Sequence, residues 1–135
     1  KSDAPKMAAR LIKRNINIDA FISSPAKRAK KTAEYFIKEF GGKVDDIILV
    51  SALYDAGAEN FSDTIKDIDD KYKSAAIFSH NPGITAFANQ LVEKAGIDNM
   101  PNCSIFAVKA DVEKWKDFSN AKKDFLFFDY PKKED

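Results

Sequence analysis

The chain has 135 residues, 44% hydrophobic and 32% charged, which is enough apolar material for one compact domain with a buried core and excludes a disordered tail or a disulfide-stapled miniprotein. Its 22 Lys and Arg against 21 Asp and Glu leave a net charge of +1, so there is no electrostatic reason to expect a nonspecific nucleic-acid or membrane-surface binder. No apolar run approaches the ~20 residues of a membrane span, nothing resembles a signal peptide, and a lone Cys103 and lone His80 argue against disulfides, structural zinc and heme attachment, so a cytoplasmic protein is expected.

In chain order, Met7, Ala8, Leu11 and Ile12 fall at helical spacing within residues 3–15, with Ser2 or Asp3 as N-cap and Pro5 in the first turn. Asp19 to Ser23 reads as a short buried strand. A second helix follows, with Ser24 as cap, Pro25 at its first position, and Ala29, Ala33, Phe36, Ile37 and Phe40 as one stripe before Gly41-Gly42 stops it. Asp46 to Val50 predicts the next strand, and Phe61, Ile65, Ile68 and Tyr72 a third helix. Ala75 to Ser79 is a third strand with His80 at its end. The turn Asn81-Pro82-Gly83 leads into a helix carrying Ile84, Phe87, Ala88, Leu91, Val92 and Ala95, stopped by Gly96. Ser104 to Lys109 and Asp124 to Tyr130 read as a closing pair of strands joined by a polar stretch around Trp115.

Alternating helices and apolar strands predict an α/β domain: a three-layer α/β/α arrangement with a mostly parallel sheet and an antiparallel C-terminal edge. In such sheets ligands bind outside the carboxyl ends of the strands, where the segments beginning at Ser23 and His80 lie.

The second helix opens with Lys27, Arg28, Lys30 and Lys31, although a helix N-terminus favours acids there. Lys27, Lys31 and Lys38 lie opposite the apolar stripe, as a solvated face would. Arg28 and Thr32 lie on its flank, where a guanidinium fork is either a surface cation or salt-bridge partner, or a phosphate ligand reaching the strand edge. His80 is either a structural histidine beside a turn or a functional one. A serine-hydrolase site lacks its Gly-x-Ser-x-Gly elbow. Gly41-Gly42-Lys43 follows a helix rather than opening one, which makes it a C-cap and not a phosphate loop. Asp45-Asp46 and Asp69-Asp70 are adjacent pairs at element ends and are assigned no metal.

Together, the segment from Phe21 to Ala33, with its Ser-Pro-x-x-Arg-x-x-x-Thr-Ala pattern, and Ser79-His80-Asn81-Pro82-Gly83 resemble two signature segments of the histidine phosphatase superfamily, the phosphoglycerate-mutase-like fold. Small size, the intervening Leu53-Tyr54-Asp55-Ala56 and the Asn-Pro-Gly turn make the SixA-type phosphohistidine phosphatases the most similar branch. The resemblance implies a phosphatase acting on protein phosphohistidine through a covalent phosphohistidine intermediate, with no metal or organic cofactor. Arg28 would be a phosphate-clamping arginine and His80 the second pocket histidine, both stabilising transition-state charge. Ser24 and Asn81 join them as candidate substrate-binding residues. Asp55, in preference to Glu59, is the candidate general acid, and an imidazole leaving group makes little demand on one.

The family nucleophile comes from an Arg-His motif on the first family strand, which these residues do not contain. Residues 1–135 are therefore expected to form a single histidine-phosphatase-like domain lacking that strand, with unpaired strand edges and an apolar slot where it would lie. The expected partner is a phosphorylated protein or a small phosphate ester, with no nucleic acid and no membrane, and the expected state is a monomer. Short connections between Thr32 and His80 favour an open site and hence a protein substrate. The alternatives are a small-molecule phosphomonoester phosphatase and a noncatalytic phosphate-binding module.

Overall fold

The computed structural model describes residues 3–93 and 95–133. Helix α1 (Asp3–Lys13) buries Ala4, Met7, Ala8 and Leu11, the stripe that a 3.6-residue turn aligns. Ile12, expected on that stripe, is exposed, because one residue beyond Leu11 turns about 100° away from it. Of the two expected caps, Ser2 lies outside the described residues and Asp3 is already the first helical residue. Strand β1 (Ala20–Ser23) is buried along its whole length.

Helix α2 (Lys27–Glu39) turns Ala29, Ala33, Phe36 and Ile37 inward. It begins later than expected: Ser24 does not cap it, but accepts a 3.0 Å hydrogen bond from the Ala26 N–H, forming the turn that precedes the helix. Its end follows the expectation. Gly41 takes φ 82°, which a side chain would resist, and the Gly42 N–H reaches back to the Ile37 carbonyl at 2.8 Å, closing the last turn.

The strand expected over Asp46–Val50 shrinks to β2 (Ile48–Leu49), both residues exposed, with Val44–Asp46 in a 3-10 turn. As an edge with one neighbour, it has little to bury against and stays short. Helix α3 (Ala58–Lys66) carries Phe61 and Ile65 inward. It ends before Ile68, which is nevertheless buried in the turn that follows. Strand β3 (Ala75–Phe78) leads through the Asn81-Pro82 turn into α4 (Gly83–Leu91). That helix stops short of the expected Gly96: Val92 is already extended, and the Asn89 side chain both donates to and accepts from the Ile97 backbone, at 2.8 and 2.9 Å. Strands β4 (Ile105–Lys109) and β5 (Asp124–Asp129) close the chain. No helix among the described residues is long and apolar enough to cross a membrane.

The first three strands form a parallel sheet in the order β2-β1-β3. Alternate residues of β1 enter two separate cores: Phe21 packs with α1 and α2, around Met7, Leu11 and Phe36, while Ala20 and Ile22 pack with α3 and α4, around Phe61 and Phe87. Three layers follow directly from that alternation.

The antiparallel pair expected at the C-terminal end is present, as a separate two-stranded sheet β4-β5 that does not hydrogen-bond to the first. It nevertheless spans the same two cores, with Ile105 on the α1/α2 side and Val108 on the α3/α4 side. Helix α1 holds it there. The Arg10 guanidinium meets the buried Asp129 carboxylate at 2.8 Å, and Arg14 lies 4.0 Å from the centre of the Phe127 ring. A cavity of about 1660 Å³ is lined by residues along both β3 and β4.

Phe36 sits against Phe78 with ring centres 5.3 Å apart and is 3% exposed. Phe36→Ala should destabilise the domain by about 3 to 5 kcal/mol through the cavity it leaves, read as a lowered midpoint in chemical denaturation. An unchanged midpoint would contradict this packing of the α1/α2 layer.

Candidate active site

The parallel register sets the site. Ser23 pairs with Phe78, and the Ser24 N–H donates to the Phe78 carbonyl at 2.9 Å, so β1 and β3 end side by side and the segments after them leave from one edge of the sheet. Arg28 stands in the first turn of α2, exposed, and forms no side-chain hydrogen bond or ion pair among the described residues. Beside it Thr32 turns its hydroxyl back to the Arg28 carbonyl at 3.1 Å. His80 follows β3 by two residues, its side chain 34% exposed. Both are among the residues that line the same large cavity.

A third segment arrives from the other side. The Ser79 hydroxyl donates to the Leu53 carbonyl at 3.1 Å, and Leu53 is fully buried. Gly83 has no room for a side chain, because a Cβ there would overlap the Ala56 carbonyl. The loop between these two anchors presents Tyr54 and Asp55 to His80. Asp55 adopts φ 52°, a conformation that side chains avoid unless the surroundings impose it. Its Oδ1 lies 3.5 Å from His80 Nε2, the outer limit of a hydrogen bond, and its carboxylate is 81% exposed. Glu59 is exposed in the first turn of α3.

Two other candidates are differently employed. Ser24 is fully buried, with its hydroxyl on the Ala26 N–H, so it shapes the turn and is not exposed to a ligand. Asn81 lines the cavity, but its amide donates to the Met100 carbonyl at 2.9 Å and its Oδ1 accepts from the Thr85 hydroxyl. The Met100 N–H donates in turn to that hydroxyl at 3.0 Å. Asn81 therefore ties the turn after β3 to the segment before β4.

Sequence reasoning missed Tyr54 as a wall of the site. It is 58% exposed, and its ring meets that of His80 edge-on, with centres 6.1 Å apart. Cys103 also lines the cavity, but burial pushes its thiol pKa up, which disfavours the thiolate a nucleophile needs. No group of three His, Cys, Asp or Glu side chains among the described residues is arranged to hold a metal ion.

No family model matches the chain, and no curated protein does. Solved structures do. One described as a candidate phosphohistidine phosphatase SixA from Nakamurella multipartitia superposes with a TM-score of 0.79 at 14% identity, over 98% of this chain and 81% of its own. A second, described in the same terms, from Agrobacterium tumefaciens, gives 0.78 at 20% identity, over 96% and 79%. A third, the protein histidine phosphatase SixA complexed with tungstate, gives 0.79 at 17% identity, over 96% and 80%. At such identities the likeness is one of architecture: this chain has the SixA-like, phosphoglycerate-mutase-like α/β fold.

Proposed function

We propose that the domain is a phosphatase that hydrolyses protein phosphohistidine through a covalent phosphohistidine intermediate. The observation that carries this reading is that β1 and β3 end side by side, with Arg28 on the helix after the one and His80 two residues after the other, both on the wall of one large cavity. A fold shared with structures described as SixA phosphohistidine phosphatases, one of them holding the oxyanion tungstate, supports it.

In this proposal the Arg28 fork takes two phosphoryl oxygens. His80 donates from Nε2 to an oxygen, and Asp55, whose Oδ1 lies 3.5 Å from that nitrogen, orients the ring. Positive charge at these points is worth most as the phosphoryl group passes between nucleophile and leaving group, when its equatorial oxygens carry the charge. A histidine nitrogen attacks phosphorus while the substrate's P–N bond breaks, and the imidazole departs with its proton. Water then cleaves the new P–N bond, releasing phosphate and the free histidine. Asp55 supplies a proton only where the leaving group arrives without one.

His80 is the one histidine of the chain, and in this role it binds oxygen and does not attack phosphorus. The nucleophile then belongs to a further strand in the slot between β3 and β4, where it would pair with both open edges and end beside His80. In this reading the substrate is a phosphorylated protein, which the short connections around the site admit, and the protein acts as a cytoplasmic monomer. A noncatalytic phosphate-binding module is the second reading, favoured by that single histidine.

Arg28→Ala should weaken tungstate or phosphate binding about 30-fold or more, measured by calorimetry, while leaving stability within about 0.5 kcal/mol because the side chain is exposed. Undiminished affinity would refute the clamp. These 135 residues alone, incubated with a phosphohistidine peptide, should form no acid-labile phosphoenzyme. A phosphoenzyme on His80 would overturn the division of roles between clamp and nucleophile.

A further inference from the structure

Tyr54 is a large aromatic side chain left 58% exposed on a segment that is otherwise anchored. Its neighbours are fixed on both sides: Leu53 is fully buried with its carbonyl on the Ser79 hydroxyl, and Ala56 is pressed against Gly83. Beyond them, the Gly57 N–H donates to the Asn60 side chain at 2.8 Å, at the start of α3. Such anchoring prevents the loop from folding Tyr54 into the core, where Leu53 already occupies the inward position. The ring instead stands edge-on to His80 and lines the cavity that Arg28 also lines.

An exposed aromatic face on an anchored loop beside the proposed anion clamp suits a phosphate carried on a flat group. We infer that Tyr54 is the specificity-determining wall of the leaving-group subsite, stacking on the planar imidazole of a phosphohistidine side chain and so favouring it over phosphate on an alkyl oxygen. This rests on the phosphatase reading above, and it assigns the preference among substrates to a residue that does not touch the phosphoryl group. An imidazole offers Tyr54 a π face, whereas a serine-derived CH₂ offers almost no area to stack against.

Three probes test it by calorimetry on the intact chain: inorganic phosphate, a peptide carrying the nonhydrolysable phosphohistidine analogue phosphotriazolylalanine, and the same peptide with phosphoserine. The unmodified chain should bind the triazole peptide more tightly than the phosphoserine peptide. Tyr54→Ala should weaken the triazole peptide about fivefold, the scale of one aromatic stacking contact, while leaving inorganic phosphate unchanged and erasing the preference. Tyr54→Phe should retain it. Equal affinity for the two peptides in the unmodified chain, or a preference that survives Tyr54→Ala, overturns the inference and leaves the phosphate clamp standing. Loss of inorganic phosphate binding in Tyr54→Ala also overturns it, since the residue would then act through His80. Failure of the unmodified chain to bind any of the three probes overturns the clamp itself, a distinguishable result.

Discussion

The parallel pairing of β1 with β3 is the constraint on which the other features depend. Its register sets Ser23 opposite Phe78 and continues with the Ser24 N–H on the Phe78 carbonyl, so two chain segments far apart in sequence leave the sheet at one level. A slip by one residue would exchange Phe21 and Ile22 between the two cores, each of which is closed by its own pair of helices. The apolar layers thereby hold in place a polar edge that makes few contacts of its own. Ser79 extends the arrangement to a third segment, since its hydroxyl fastens the loop that carries Tyr54 and Asp55.

Electrostatics at that edge run against local helix stability. The first turn of α2 contains Lys27, Arg28 and Lys30 and no acid, adding positive charge to the positive end of the helix. On the proposed reading a bound phosphate would offset that conflict, accepting from both the guanidinium and the N–H groups of the helix start. Among the described residues, Asp55 is the acid in contact with His80, and its high exposure leaves it in contact with solvent.

Much of this was legible in the sequence, because strand ends followed by glycine, proline and helix signals are local patterns. The segments bearing Arg28 and His80 are recognisable that way, as are the stripes of α1 and α2. Features built from distant partners were not. Arg10 and Asp129 are separated by 119 residues, and neither spacing nor composition links them. The internal engagement of Ser24 and Asn81 depends on Ala26, Met100 and Thr85 finding them in the folded chain. Tyr54 could have been found only by noticing that a buried Leu53 forces its neighbour outward beside the histidine loop. The shortness of β2 reflects its place at the edge of the sheet, a property of the whole sheet and not of Asp46–Val50.

The central claim is that Arg28 and His80 hold one phosphate at the ends of β1 and β3. Because His80 is the sole histidine, its imidazole ¹H–¹⁵N signals can be read by NMR without any assignment. Titrating inorganic phosphate into the ¹⁵N-labelled chain should shift the Nε2 signal in a saturable manner, with a dissociation constant equal to that from calorimetry. An imidazole spectrum unmoved at saturating phosphate would contradict the account.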